Sequence, residues 1–230
     1  MRHPGRAPKE ITVLFDLDGT LADTAPDLVS ALNQQLVSRN RPAMPVEALR
    51  PYVSQGARGL LRVGFGLLPE DVRYAALRDE FLELYEQGLC RETQLFPGMR
   101  EVLAALDERG TAWGIVTNKL ERFALPLVEA LGLRSRVACV IGGDTTARAK
   151  PHPEPLLEAS RRVGVAPQAC MYVGDDERDV QAGLAAGMTP VVALYGYLGD
   201  ERPPQQWGAD LYIQQPAELL QLLPASPSMG

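Results

Sequence analysis

Histidine and cysteine are scarce in this chain, and their scarcity excludes several kinds of site. The 230 residues contain two histidines and three cysteines, and none of the cysteines has the spacing of a zinc ligand. A cysteine and histidine metal site is therefore not expected. Three cysteines cannot all form disulfides, and Cys139 and Cys170 stand in apolar runs that are typical of buried thiols. This cysteine content favours a reduced, cytoplasmic protein.

Long apolar runs and clusters of positive charge are also missing. No apolar run reaches the ~20 residues that a transmembrane helix needs. The N-terminal segment is basic but leads into a short strand and Asp16, so we do not predict a signal peptide. The formal net charge is −6 and the isoelectric point is about 5.1. Neither nucleic acid nor a membrane surface is therefore an expected partner.

What the chain does contain is an apolar strand that ends in two acids. Residues 11–15 are mostly apolar and β-branched, the pattern of a strand buried on both faces, and Asp16 and Asp18 follow at once. Alternate residues of an extended chain share a face, so both carboxylates are expected on one side of the sheet edge where ligands bind. Two such charges are tolerated only with a cation, a shared proton or exposure to water. Because Gly19 and Thr20 come next, we interpret the pair as a site and not as a solvated turn.

The rest of the chain divides into a helical part and an alternating part. Helices are predicted from about residue 24 and over 46–53, 57–65 and 70–89, with no strand between the first of these helices and about residue 90. Beyond residue 95 the pattern alternates: strands are predicted over 112–116, 137–141, 170–173, 190–194 and 210–213, and helices over 99–109, 123–131, 154–163, 180–186 and 217–223. Such alternation indicates a parallel, doubly wound α/β sheet. Residues 1–10 and 224–230 are expected to be a loose leader and a frayed tail.

Polar side chains recur where the predicted strands end. They are Asp16 and Asp18, Thr117 and Asn118, and Asp175 and Asp176, with Lys150 before a proline-rich helix start. Carboxylate oxygens suit a hard cation such as Mg²⁺. A lysine and a threonine hydroxyl suit a phosphate group. A carboxylate can also attack phosphorus and split one difficult displacement into two easier ones.

Taken in chain order, these motifs resemble those of the haloacid dehalogenase superfamily. The matching segments are Asp16-Leu17-Asp18-Gly19-Thr20, Thr117-Asn118, Lys150, and Gly174-Asp175-Asp176 with Asp179. The resemblance spans nearly the whole chain. It implies a Rossmann-like core, residues 1–23 and 92–230, with an all-helical cap inserted over residues 24–91.

The resemblance also implies roles for the individual residues. Asp16 would be the nucleophile, Asp18 the general acid and base, and Asp16, Asp18 and Asp175 the ligands of Mg²⁺. Thr117, Asn118 and Lys150 would bind the phosphoryl group, and Asp176 and Asp179 would support the metal. Many relatives have serine at the position of Asp176, so this added acid could either strengthen the metal site or face solvent. An acid at position 18 favours phosphate transfer over dehalogenation.

Substrate choice is expected to lie in the cap. Arg58 stands in the segment Gln55-Gly56-Ala57-Arg58-Gly59 between two predicted helices and could bind a substrate carboxylate, with Arg62 as the alternative. The motif around Asp175 and the later Tyr195-Gly-Tyr197 resemble phosphoglycolate phosphatases and, at least as closely, N-acetylmuramic acid 6-phosphate phosphatases. The resemblance therefore predicts a Mg²⁺-dependent phosphatase of a small acidic metabolite, first 2-phosphoglycolate and alternatively the amino sugar phosphate.

Two other kinds of function are compatible with the same motifs. A phosphosugar mutase would need a cap that shuts water out, and an inactive binding protein would need a lost catalytic residue, whereas every motif position is filled. The expected partner is a small phosphorylated molecule, and the expected assembly is a monomer or a homodimer.

Overall fold

The computed structural model describes residues 11–199 and 202–224. The predicted leader and all but the first residue of the predicted tail lie outside these ranges. In chain order the elements are β1 (Thr12–Phe15), β2 (Ala22–Asp23), α1 (Ala25–Ser38), α2 (Val46–Val53), α3 (Gly56–Phe65), α4 (Tyr74–Gln87), β3 (Gln94–Leu95), α5 (Met99–Glu108), β4 (Trp113–Val116), α6 (Glu121–Ala130), β5 (Val140–Ile141), α7 (Glu154–Val163), β6 (Cys170–Gly174), α8 (Glu177–Ala186), β7 (Thr189–Ala193), β8 (Leu211–Ile213) and α9 (Leu219–Leu222).

Six of the strands in the described part of the chain form one parallel sheet in the order β5-β4-β1-β6-β7-β8. The first strand is central, with Val13 opposite Trp113 on one side and Met171 on the other. The side chains of β1 alternate between the two faces. Val13 and Phe15 pack in a cluster with α5, α6 and α9, and Leu14 packs in a second cluster with α7 and α8. A strand buried on both faces is therefore apolar at nearly every position, which confirms the prediction of a doubly wound α/β sheet.

Helices α1 to α4 lie between β2 and β3 and supply most of one hydrophobic cluster, which also includes Phe123 of α6 and Tyr197. The apolar stripe of α1, Leu28, Leu32 and Leu36, is buried in it. The two short strands were not predicted. They pair antiparallel, with Ala22 opposite Leu95 and Asp23 opposite Gln94, so the chain leaves and re-enters the sheet region at adjacent points.

Three predicted elements were too long. The helix predicted over 70–89 begins only at Tyr74, because the Asp71 carboxylate accepts a hydrogen bond from the Arg73 amide and closes a local turn that competes with the helix. The strand predicted over 137–141 contains only Val140 and Ile141. The last helix is a 3₁₀ turn at Pro216–Glu218 followed by α9. Among the described residues, no helix combines the length and the apolar character needed to cross a membrane.

Candidate active site

Three buried carboxylates meet at the carboxyl edge of the sheet. Asp16 follows β1, Asp175 follows β6, and Asp179 lies in the first turn of α8. One oxygen from each of the three lies within 4.8 Å of the others. The Lys150 ammonium is 2.9 Å from Asp16 Oδ1 and 2.7 Å from Asp179 Oδ1. One lysine thus faces three acids in this part of the described structure.

The electrostatics of the cluster favour an additional cation. Burial, together with the nearby carboxylate of Asp179, raises the pKa of Asp16 from 3.8 to about 7, since the opposing effect of Lys150 is smaller than that of burial. Burial and the charge of Asp16 also raise the pKa of Asp175 well above its usual range. Asp16 Oδ1 is buried and has no hydrogen bond of good geometry within the described residues. A buried oxygen cluster that is short of positive charge fits a hard divalent cation such as Mg²⁺.

The position of Asp175 is fixed from three sides. Its carboxylate accepts hydrogen bonds from Thr20 Oγ1 at 2.8 Å, from the Tyr197 amide at 2.9 Å and from Ser54 Oγ at 3.3 Å. The turn after Asp18 brings Gly19 against the same carboxylate. Gly19 has a φ of +86°, and a Cβ at this position would overlap Asp175. Only glycine therefore allows both this backbone conformation and this close approach.

The carboxylate of Asp18 is directed to a different set of partners. It accepts hydrogen bonds from Thr24 Oγ1 at 2.5 Å and from the Lys119 ammonium at 2.7 Å. The structure therefore brings Asp18 to the site but does not place its side chain in the cluster of Asp16, Asp175 and Asp179. Lys119 was not predicted, although it directly follows the Thr117-Asn118 motif. A lone lysine after a strand is usually a surface residue, so the sequence offered only this adjacency as a signal.

Asn118 and Thr117 hold the loops of the site together. The Asn118 side chain donates to the Lys150 carbonyl at 2.9 Å and accepts from the Lys150 amide at 3.0 Å. The Lys150 ammonium also lies 2.7 Å from Tyr172 Oη and 3.2 Å from the Val116 carbonyl. Burial acts to lower the pKa of this ammonium, but the charges of Asp16 and Asp179 outweigh it and the pKa is raised. Thr117 is buried, and its hydroxyl accepts from the Lys119 amide.

Asp176 is paired with an arginine. It is the N-cap residue of α8, and its side chain accepts from the Arg178 amide and guanidinium at 2.9 Å and 2.7 Å. Burial acts to raise the pKa of Asp176, but the Arg178 guanidinium holds it below the usual range. Arg178 also donates to the Ser54 carbonyl at 2.7 Å. The acid pair at 175 and 176 therefore divides, with Asp175 facing the acid cluster and Asp176 facing Arg178.

A cavity of about 250 Å³ lies over these residues. We use "floor" for its polar lining, Asp16, Asp18, Thr117, Asn118, Lys119 and Lys150, and "roof" for the residues contributed by α1, α2 and α4, which are Leu28, Val53, Phe81, Leu82 and Tyr85. Arg58 and Arg62 line a separate depression with Arg202. Arg178 borders both spaces. The structure thus does not bring Arg58 or Arg62 into the cavity that contains the acids.

Comparison with known sequences identifies the family. The family of haloacid dehalogenase-like hydrolases matches residues 13–193. The chain belongs to this family. The acid motifs, Lys150 and strands β4 to β7 lie within the matched region of this haloacid dehalogenase-like hydrolase, and the resemblance inferred from the sequence is confirmed.

Similar proteins carry two different names. The hydrolase is 50% identical over 208 residues to a phosphoglycolate phosphatase of Xanthomonas campestris pv. campestris, covering 90% of this chain and 93% of the relative. It is 41% identical over 211 residues to an N-acetylmuramic acid 6-phosphate phosphatase of Pseudomonas putida, covering 92% and 95%. Among solved structures, a predicted phosphoglycolate phosphatase from Haemophilus somnus is similar, with a TM-score of 0.81 at 27% identity over 95% of this chain and 99% of that one.

Proposed function

We propose that the protein is a Mg²⁺-dependent phosphomonoesterase and that 2-phosphoglycolate is its substrate. The observation that supports this proposal most strongly is the meeting of three buried carboxylates and Lys150 beneath a small cavity. The phosphoglycolate phosphatase relative at 50% identity supports the choice of substrate. The cavity volume of about 250 Å³ is slightly below the ~300–1,000 Å³ that ligand sites usually have, as expected for a small metabolite.

In this proposal the floor residues bind the phosphoryl group and attack it. Asp16, Asp175 and Asp179 would hold the cation, which supplies positive charge against the repulsion between a carboxylate and a phosphate. Lys150 and Thr117 neutralise and position the phosphoryl oxygens. A carboxylate oxygen of Asp16 attacks phosphorus, the bond from phosphorus to the ester oxygen breaks, and an aspartyl-phosphate forms.

Asp18 handles the protons in both steps. It gives a proton to the ester oxygen, so that the alcohol leaves uncharged. It then takes a proton from the water that attacks the aspartyl-phosphate, which releases inorganic phosphate and restores Asp16. Its hydrogen bonds to Thr24 and Lys119 hold the carboxylate in place for both transfers.

The proposal includes a division of the chain. Residues 24–91 would be a cap that selects the substrate, and residues 1–23 and 92–230 would be the core that performs the chemistry. The hydrophobic cluster to which α1 to α4 contribute most residues and the pairing of β2 with β3 support this boundary. The floor comes from the core and the roof from the proposed cap.

N-acetylmuramic acid 6-phosphate is the second candidate substrate. The roof offers apolar side chains such as Leu28 and Phe81, a larger apolar surface than a two-carbon acid can cover. The relative with this activity in its name is 41% identical. An amino sugar with an acetyl group would use such a surface.

The test is a side-by-side measurement of kcat/KM for the two phosphates with Mg²⁺ and without any added sugar bisphosphate. We expect 2-phosphoglycolate to be preferred at least a hundredfold, which corresponds to about 2.7 kcal/mol of transition-state binding. A preference of that size for the amino sugar would reverse the assignment. Low and similar values for both would reject both substrates, and a requirement for a sugar bisphosphate would favour a mutase.

A further inference from the structure

The two lysines of the floor differ in how many oxygen atoms surround their ammonium groups as hydrogen-bond acceptors. An ammonium has three N–H donors. Lys150 has four oxygens within reach, those of Asp16, Asp179, Tyr172 and Val116. In the described part of the chain Lys119 has a single hydrogen-bond acceptor, Asp18 Oδ1. Its side chain is only 7% exposed. Two of its three N–H donors therefore have neither a hydrogen-bond acceptor in the described residues nor ready access to bulk water.

Next to Lys119, a tyrosine of the roof also has an unused hydrogen-bonding group. Tyr85, in α4, is 1% exposed and lines the cavity. Its hydroxyl is buried and makes no hydrogen bond of good geometry among the described residues. The centre of its ring lies 4.8 Å from the Lys119 ammonium, and the two groups interact electrostatically. A buried hydroxyl without a hydrogen-bond partner destabilises the folded state. A ligand that accepts from both Tyr85 and Lys119 would remove this destabilisation.

The position of Lys119 determines which part of a ligand it can reach. In the proposed reaction Asp18 must lie within hydrogen-bond distance of the ester oxygen that it protonates. The Lys119 ammonium is 2.7 Å from the same carboxylate. In a two-carbon phosphate ester the carboxylate is separated from the ester oxygen by one carbon atom. A group so close to the ester oxygen lies next to Lys119, whereas Arg58 lines the neighbouring depression and not this cavity.

We propose that Lys119 and Tyr85 form the subsite that binds the carboxylate of the substrate's leaving group. The inference rests on the proposed phosphatase function and replaces the predicted role of Arg58. Lys119 supplies the charge and keeps its bond to Asp18, while the Tyr85 hydroxyl donates from the roof. Arg178, the other cavity cation beyond the two lysines, is bound to both carboxylate oxygens of Asp176 and to the Ser54 carbonyl.

The test compares binding of two ligands that differ only in the carboxylate. 2-Phosphoglycolate and ethyl phosphate have the same two-carbon chain, with a methyl group replacing the carboxylate in the second. Binding to the Asp16→Asn protein with Mg²⁺ is measured by calorimetry, so that turnover does not interfere. We expect 2-phosphoglycolate to bind at least tenfold more tightly, and we expect Lys119→Met in this background to reduce that ratio to below about threefold.

Tyr85→Phe should reduce the same ratio by about three- to tenfold, and Lys119→Arg should restore part of what Lys119→Met removes. Tyr212→Phe is the matched control, because it also deletes a phenol hydroxyl but one bonded to the Ala209 carbonyl. It should leave the ratio unchanged. Melting temperatures of all variants show whether the fold is retained.

Three results would overturn the subsite. One is equal binding of both ligands, or of neither, by the Asp16→Asn protein. Another is an equal loss of binding affinity for both ligands in Lys119→Met, which would mean that Lys119 only positions Asp18. The third is a loss of the ratio in Arg58→Ala but not in Lys119→Met. If the wild-type protein hydrolyses neither candidate substrate but the ratio still depends on Lys119, the proposed function fails and the subsite stands.

Discussion

The floor and the roof of the cavity are built in different ways. On the floor and in the acid cluster that adjoins it, nearly every charged group has several partners: Lys150 alone lies near four oxygens, and Asp175, in the cluster, accepts three hydrogen bonds. The roof is made mainly of apolar side chains, among them Leu28 and Phe81. A dense polar network holds charges in place before the substrate arrives, so little reorganisation is needed during the reaction. An apolar roof excludes water and can vary in shape without disturbing that network.

The largest effect is expected from the floor. Asp16→Asn should lower kcat by at least about 10³-fold because asparagine cannot form the aspartyl-phosphate. Without metal and above pH 7, Asp16→Asn should be no less stable than the wild type. The raised pKa of Asp16 means that the folded state disfavours its ionised carboxylate, which asparagine lacks. Steady-state phosphate release and thermal melting check the two statements. Residual activity near the wild-type level would remove Asp16 from its role.

The next prediction removes Lys150, the cation of the floor that faces the acid cluster. Lys150→Met leaves three buried carboxylates without it, and losing one partner of a buried ion pair costs about 3–5 kcal/mol. The loss in the free energy of unfolding should be largest at pH 8 and smaller at pH 5, where Asp16, with a pKa of about 7, is protonated. Urea unfolding of metal-free protein at both pH values measures it.

Arg100→Met is the control for this prediction, because Arg100 is an exposed cation in α5. It should change the free energy of unfolding by less than about 0.5 kcal/mol. An equally small change in Lys150→Met would show that the stability of the acid cluster does not depend on Lys150.

A third prediction concerns Mg²⁺ and pH. Asp16 and Asp175 have raised pKa values, so the metal-free folded state loses stability from these groups as the pH rises from about 4 to about 8. Mg²⁺ must displace the protons held at low pH. At a concentration a hundred times its dissociation constant at pH 8, it should stabilise the protein by about 2.7 kcal/mol, with a much smaller gain at pH 5. Equal gains in melting temperature at both pH values would contradict this account.

The smallest effect is expected where the two regions touch. Ser54, which follows α2, donates to Asp175 at 3.3 Å, so Ser54→Ala should cost less than about 1 kcal/mol in Mg²⁺ binding and raise KM more than it lowers kcat. Ser38→Ala is the matched control, since Ser38 donates to the Gln35 carbonyl outside the cavity. A hundredfold loss of kcat in Ser54→Ala would mean that the roof takes part in the chemistry.

The same two regions differ in how well the sequence predicts them. Asp16 and Asp175 each follow an apolar strand. Parallel strands bring their carboxyl ends to one edge of the sheet, so a local pattern is enough to place these two acids together. Lys119 and Tyr85 are adjacent only because α4 packs across the loop after β4. No periodicity in either segment encodes that contact. Arg58 was chosen for its charge and its glycine neighbours, and those features do not determine toward which cavity the end of α3 points.

The pairing of β2 with β3 has a consequence for how such an enzyme changes over generations. Because Asp23 and Gln94 are neighbours, everything between them is a single excursion of the chain whose two ends meet. An excursion of another length or shape can be exchanged there without moving a strand of the sheet or a charge beneath it. In the proposed division of the chain, the residues that break the ester bond and the residues that select the ester can therefore be inherited separately.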